Sequence, residues 1–221
     1  MIKRAFDIAF ALTATVALSP IYVVAAMAVK LDSPGPAFYC GTRVGRHGKP
    51  FKMYKFRTMV QDAALTGSIQ TAFGDPRITR VGKFLRKFKI DEWPQYFNVL
   101  KGEMSVVGPR PELQECVDLF TEEEREILSV RPGITDWATI WIGDEEERMA
   151  GSDDPLQTYM DKIWPEKHRL ELDYVRNNSV WIDVKIVFQT IKLFIVGRSK
   201  NIADADPSVE QSPMQSKKEQ E

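Results

Sequence analysis

Asp91 and Glu92 are adjacent carboxylates that follow the basic run Arg86-Lys87-Phe88-Lys89 and stand where a helix should begin. A helix start offers free N–H groups and partial positive charge, so it suits a bound phosphate. Carboxylates beside it can hold a hard cation or take part in the reaction at that phosphate. The plainer alternative is an N-cap aspartate followed by a first-turn acid. The neighbours weigh against that alternative, because Lys55, Arg57, Arg77, Arg80, Arg86 and Arg110 form a dense cationic set among Gly and Pro residues. Other chemistries are poorly provided for. Cys40 and Cys116 lack metal-ligand spacing, which excludes a zinc site of the usual kind. His47 and His168, the only histidines, make a Ser–His or Cys–His hydrolase a poor fit and read as plain turn or surface residues.

The elements that must position these groups begin with a membrane segment. Ile8–Val29 is 22 residues without a charge, about 33 Å as a straight helix and close to the thickness of bilayer hydrocarbon. Pro20 interrupts it and removes a backbone donor, and the Ser19 hydroxyl is placed to cover the freed carbonyl. Lys3 and Arg4 precede the run, while Lys30, Arg43, Arg46, Lys49 and Lys52 follow it. The positive-inside rule places both flanks in the cytoplasm, which a re-entrant helix broken at Ser19-Pro20 satisfies and a straight spanning helix does not. A second apolar segment, Trp181 to Val196, keeps Lys185, Gln189 and Lys192 on one stripe. It reads equally as a helix lying in the membrane interface or as a core helix.

Between these ends, Phe38–Val44 and Lys49–Phe56 read as a β-hairpin around Gly45-Arg46-His47-Gly48. Helices are expected over Thr58–Leu65 and Thr79–Phe88, with a third from Asp91 carrying Pro94 in its first turn. Gly108-Pro109-Arg110-Pro111 marks a rigid loop, and Thr121-Glu122-Glu123-Glu124 is a capping box. The fold class is therefore α+β, mostly helical. It divides into a membrane helix over 1–31, a cytoplasmic domain over 32–198 and a disordered tail over 199–221. Charge divides as well. Residues 1–110 hold 17 basic and 7 acidic groups, and residues 111–221 hold 13 and 24, so the near-neutral total of −1 hides a front half that wants an anionic partner. No nucleic-acid motif accompanies that charge, and a basic surface against a membrane suits phosphorylated small molecules or lipid headgroups better.

Ser19-Pro20, Ser33-Pro34-Gly35-Pro36, Lys55-Phe56-Arg57-Thr58-Met59, Asp75-Pro76-Arg77-Ile78-Thr79-Arg80, Asp91-Glu92-Trp93-Pro94-Gln95, Asn98-Val99-Leu100-Lys101-Gly102-Glu103, Gly108-Pro109-Arg110-Pro111 and Pro132-Gly133-Ile134-Thr135 occur in that order. A chain so marked resembles the bacterial sugar transferases, the small monotopic polyprenyl-phosphate phosphoglycosyl transferases, over about residues 2–195. It differs from the usual pattern at Gly41, Trp93 and Asp136.

The resemblance implies transfer of a phosphosugar from a UDP-sugar to a polyprenyl phosphate such as undecaprenyl phosphate, with release of UMP and help from Mg²⁺. It implies Asp91 as nucleophile through a covalent phosphosugar intermediate, with Glu92 as metal ligand or base beside it. Lys55, Arg57, Arg77, Arg86 and Arg110 would hold phosphate or nucleotide, and Asp91 and Glu92 the metal. The implied location is the cytoplasmic face of the bacterial inner membrane, in contact with its lipids. Two like charges 4 Å apart cost about 1 kcal/mol in water and about 4 near a protein surface, so fixed cations are needed before a carboxylate can approach a diphosphate. The alternative is a non-catalytic adaptor that grips anionic lipid through its basic half. Asp204-Ala205-Asp206 imitates a metal motif but falls in the expected disordered tail, and Asp144-Glu145-Glu146-Glu147 reads as a solvated face.

Overall fold

The computed structural model describes residues 2–61, 63, 75–143 and 155–196. The tail with Asp204-Ala205-Asp206 and the run Asp144–Glu147 lie outside them. Helix α1, Ile2–Asp32, is among the described residues the one helix long and apolar enough to cross a membrane. Helical structure continues through Pro20, so the expected break does not divide the element. Proline cannot donate to the carbonyl four residues back, which belongs to Val16, and the Ser19 hydroxyl donates to that carbonyl at 2.8 Å. The missing hydrogen bond is thus replaced locally, and this lets the helix persist where lipid offers no substitute.

Both ends of α1 fasten to the same body. Near its start, Lys3 Nζ donates to Asp183 Oδ2 at 2.7 Å, and buried Asp7 accepts from Ser105 Oγ at 2.8 Å and from the Val106 N–H at 3.1 Å. Near its end, Tyr22, Ala25 and Val29 pack with Phe56 and Leu85, and the Tyr22 hydroxyl donates to the Trp93 carbonyl at 2.9 Å. Between them Leu12, Val16, Ile21, Val23 and Val24 are exposed.

Strands β1 (Phe38–Val44) and β2 (Pro50–Phe56) pair antiparallel with Phe38 opposite Phe56 and Val44 opposite Pro50. The expected helix after β2 is not formed by its described residues. Met59 bridges antiparallel to Ile78, and long-range bonds Val60 N–H to Arg77 O and Thr79 N–H to Thr58 O take the backbone groups a helix would use. Helix α2, Arg80–Lys87, follows with Thr79 as its N-cap, accepting from the Gly82 N–H at 3.0 Å. Gly82 is required here, because a Cβ would stand 2.1 Å from the Thr58 carbonyl oxygen.

Helix α3, Gln95–Lys101, starts later than expected, with Pro94 as its N-cap residue. Strand β3 (Ser105–Val107) pairs with β4 (Gly133–Thr135) in parallel, a pairing the sequence did not suggest. The one-turn α4 (Gln114–Val117) and a 3₁₀ stretch at Glu124–Ser129 lie between them in the chain. The capping box forms reciprocally, Thr121 N–H to Glu124 Oε2 at 2.7 Å and Glu124 N–H to Thr121 Oγ1 at 3.2 Å. Helices α5 (Trp137–Ile142), α6 (Pro155–Thr158), α7 (Trp164–Asn177) and α8 (Val180–Val196) complete the fold.

His168 on α7 is not a surface residue: it is buried, with Nδ1 2.6 Å from Glu124 Oε1 and its ring between Phe120 and Trp164. Helix α8 divides its surface between the two readings of its sequence. Ile186 is fully buried in the core with Asp183, while Trp181, Val184, Phe188 and Ile191 are exposed beside Lys185 and Lys192.

Candidate active site

Asp91 and Glu92 lie in a 3₁₀ turn, Ile90–Glu92, between α2 and α3. The turn is entered through Lys89, a non-glycine residue at φ 53°, a conformation costly enough to need support from its surroundings. Asp91 is 6 % exposed, and its Oδ1 is buried with no hydrogen-bond partner. That oxygen caps nothing, so the plain N-cap reading fails on geometry. Burial foremost, and then the adjacent Glu92 charge, raises the Asp91 pKa above the usual carboxylate range, while Lys55, Lys89 and Arg86 pull the other way.

Glu92 is the opposite case. Its Oε1 accepts from Lys55 Nζ at 2.8 Å and from Arg110 Nη2 at 2.5 Å, and its Oε2 accepts from Arg110 Nη1 at 3.2 Å. Burial would raise its pKa, but Arg110 and Lys55 overcome this and hold it well below the ordinary value. Two neighbouring carboxyls are thereby driven apart in acidity, the arrangement expected where one must react and the other must hold charge.

Each cation arrives on its own element. Lys55 sits on β2, and β2 is tied to α3 by the fully buried Asn98, whose Oδ1 accepts from the Tyr54 N–H at 3.0 Å. Asn98 Nδ2 donates to the Lys52 carbonyl and to Glu103 Oε2, each at 2.7 Å. Arg110 extends from the loop after β3. Here Gly108 and Gly133 touch backbone to backbone, since a Cβ on Gly133 would lie 2.1 Å from the Gly108 nitrogen. Arg86 on α2 donates through Nε to Thr58 Oγ1 at 2.9 Å and contributes its charge to both Asp91 and Asp75.

A family model described as bacterial sugar transferase matches residues 1–197. The chain belongs to the bacterial sugar transferase family. One relative, the UDP-N-acetylgalactosamine-undecaprenyl-phosphate N-acetylgalactosaminephosphotransferase of Aeromonas hydrophila, is 42% identical over 89% of this chain and 44% of its own length. Another, the UDP-glucose:undecaprenyl-phosphate glucose-1-phosphate transferase of Escherichia coli, is 40% identical over 86% of this chain and 39% of its own. This family member thus spans less than half the length of those two curated relatives. The exopolysaccharide production protein PSS of Rhizobium leguminosarum bv. phaseoli is 39% identical over 86% of this chain and 94% of its own length.

In this family member the structure gathers Asp91, Glu92, Lys55 and Arg110 in direct contact or sequence adjacency, with Arg86 close enough to act on Asp91. It commits two other expected phosphate ligands elsewhere. Arg57 donates to the carbonyls of Val29, Ser33 and Pro34, where α1 ends with unsatisfied acceptors that need a donor. Arg77 clamps the buried Asp75 carboxylate at 2.6–3.1 Å and lowers its pKa to about 2. Asn98, Thr58 and Tyr22 were not singled out as site residues, though all three act one contact away from the site. Asn98 and Thr58 lie inside motifs that carry the resemblance, and Tyr22 shows only as one polar atom in an apolar run.

Proposed function

We propose that this protein transfers a phosphosugar from a UDP-sugar to a polyprenyl phosphate such as undecaprenyl phosphate, at the cytoplasmic face of the bacterial inner membrane. The observation that carries the reading is the buried, unpartnered carboxylate oxygen of Asp91 among Lys55, Lys89 and Arg86, next to a Glu92 that is fully engaged. An Asp91 oxygen attacks the sugar-bearing phosphorus of the donor; the bond to the bridging oxygen breaks and UMP leaves with its electron pair. The acyl phosphate so formed is attacked at phosphorus by an oxygen of the polyprenyl phosphate, which restores the Asp91 carboxylate and gives polyprenyl-diphosphate-sugar. Lys55, Arg86 and Arg110 offset the charge that accumulates on the phosphate oxygens. Glu92, acidic and twice paired, is a poor base, and its role in this scheme is to fix Lys55 and Arg110 in place. A phosphomonoester has its second pKa near 6, so the acceptor needs little help in losing its proton.

Mg²⁺ belongs to the proposal as well. The donor set fits a hard cation in part: Asp91 Oδ1 is free, Glu92 already faces two cations, and the described residues hold no cluster of three ligands. Such an ion would rest on the substrate's phosphates with Asp91 or Glu92 as its protein ligand. Bound there, it supplies charge neutralisation at the transferring phosphoryl group.

Membrane attachment through α1 as a re-entrant helix is supported by the fastening of both its ends to one body, and through α8 by its exposed apolar stripe flanked by Lys185 and Lys192. The test is donor-only mass spectrometry with a panel of UDP-sugars. A mass increase of one sugar phosphate on the peptide containing Asp91, with stoichiometric UMP, is expected. Lipid-linked product from a polypeptide that is never modified would refute the mechanism, and no UMP from any donor would favour the adaptor reading.

A further inference from the structure

A trough of 340 Å³ runs between α1 and α2. Ile21, Val24 and Ala28 line it from α1, Val81 and Phe84 from α2, and Ile90 from the turn that follows. Arg80 is the one charged residue in its lining. Ala25 and Ala28, one turn apart on α1, leave the space open because they are small. The α1 wall from Ile21 to Ala28 covers two helical turns, about 11 Å. Ile21, Val24 and Phe84 are also exposed on the outer surface, so the trough opens on the apolar side of the membrane helix. Its lining also includes Ile90, the residue bonded to Asp91.

We propose that this trough binds the head-proximal stretch of the acceptor's prenyl chain, and so delivers the acceptor phosphate to Asp91; this rests on the transferase reading above. Several observations select that occupant. The lining is apolar apart from one cation, which matches a methyl-branched hydrocarbon chain ending in an anion. A sugar nucleotide is polar throughout and gains nothing from such a wall. The positive charge of Arg80, Lys83 and Lys87 lies on the same helix as the apolar wall, suiting a ligand whose charged head and hydrocarbon tail are bound side by side. A trough two turns long holds only the first part of a long chain, leaving the remainder to the bilayer that α1 already faces.

Two measurements on the full chain in nanodiscs test this. Ala28→Phe fills the trough with an apolar, helix-compatible side chain. It is expected to raise the KM for polyprenyl phosphate tenfold or more, while the first-turnover rate of UMP release without acceptor stays within twofold. An equal fall in both steps, or no change in either, overturns the proposal. The second measurement needs no turnover, so it separates failure of the trough from failure of the enzymatic reading. Phe84→p-benzoylphenylalanine should photo-crosslink a polyprenyl phosphate, and excess unlabelled polyprenyl phosphate, but not phosphatidylglycerol, should suppress the crosslink. Equal suppression by phosphatidylglycerol would assign the trough to bilayer lipid and overturn the proposal.

Discussion

Replacing Asp91 by Asn should abolish transfer and at the same time make the protein more stable. Asp91 is 6 % exposed with one oxygen unpartnered, and its folded-state pKa lies above the ordinary 3.8 because burial and Glu92 disfavour the anion. A carboxyl of that kind destabilises the fold wherever it is ionised. The penalty is absent below the unfolded pKa, grows as pH rises from there, and is complete above the folded pKa. Each unit of upward shift corresponds to about 1.4 kcal/mol at neutral pH. Leaving a buried charged acceptor unmade costs about 1–3 kcal/mol, and the cations Lys55, Lys89 and Arg86 return part of that. A gain of about 1–2 kcal/mol for Asp91→Asn follows, or roughly 2–8 °C in Tm for a chain of this size.

The assay is thermal melting of wild type and variant in one detergent from pH 4 to pH 8, alongside UMP release. The difference in Tm should be largest at pH 8 and shrink towards pH 4, close to the unfolded pKa, where little of the ionisation penalty remains. Donor turnover should fall by on the order of 10⁴ or more, as expected for a covalent nucleophile. In the wild type, the acid limb of the rate profile should lie above the normal carboxylate range. A variant that is less stable at every pH, or a Tm difference that does not vary with pH, would refute the reasoning, because Asp91 would then be held by partners that the structure does not show.

Arg110→Ala leaves Glu92 with Lys55 alone; since Arg110 is 34% exposed, a stability loss of only about 1–2 kcal/mol is expected, with donor turnover down at least a hundredfold. Arg110→Lys should restore little, because a lysine cannot reproduce the two-nitrogen contact with Glu92. Asn98→Ala removes three hydrogen bonds at a fully buried position and should cost about 2–4 kcal/mol by denaturant melting, with Lys55 function impaired in proportion. Glu171 on α7 is 1% exposed, and burial raises its pKa well above normal against the pull of Lys167 and the Arg110 backbone N–H. Glu171→Gln should therefore melt within about 1 kcal/mol of wild type at pH 6 and gain on it as pH rises, since only the acid must ionise or hold its proton at increasing cost. Ile2→Cys, exposed at the start of α1, should react with an impermeant maleimide only from the cytoplasmic side of inverted vesicles. Labelling from the periplasm alone would eliminate the re-entrant arrangement.

What the sequence made legible is what short-range chemistry decides. The Thr121–Glu124 box and the Ser19 cover over Val16 each depend on residues within a few positions of one another, and the hairpin strands on a short turn between them. The strands β3 and β4 pair across more than twenty residues, and nothing in three-residue segments announces a parallel partner. The described residues of Thr58–Leu65 do not form the expected helix because distant backbone at Arg77 and Thr79 takes the groups of Val60 and Thr58. Arg57 has the residue type of a phosphate ligand, yet the end of α1 reaches it first. His168 looked incidental because its partner, Glu124, lies 44 positions away. Type and spacing singled out Asp91 and Glu92, but which cations pack against them was decided by long-range packing.

The contact that joins these levels is small. Tyr22, buried within an otherwise apolar stretch of α1, donates its hydroxyl to the carbonyl of Trp93, two residues beyond Asp91. The turn that carries Asp91 is thus hydrogen-bonded to the long apolar helix and not merely packed near it. Trp93 and Ile90, on either side of the acidic pair, lie against the same cluster as Tyr22, Ala25 and Val29. A shift of α1 in the bilayer must therefore carry Asp91 with it, which fixes the depth of that carboxylate relative to lipid. Under the proposed reaction, whose donor is dissolved in water and whose acceptor is confined to the membrane, that depth decides whether the two phosphates can meet at one side chain.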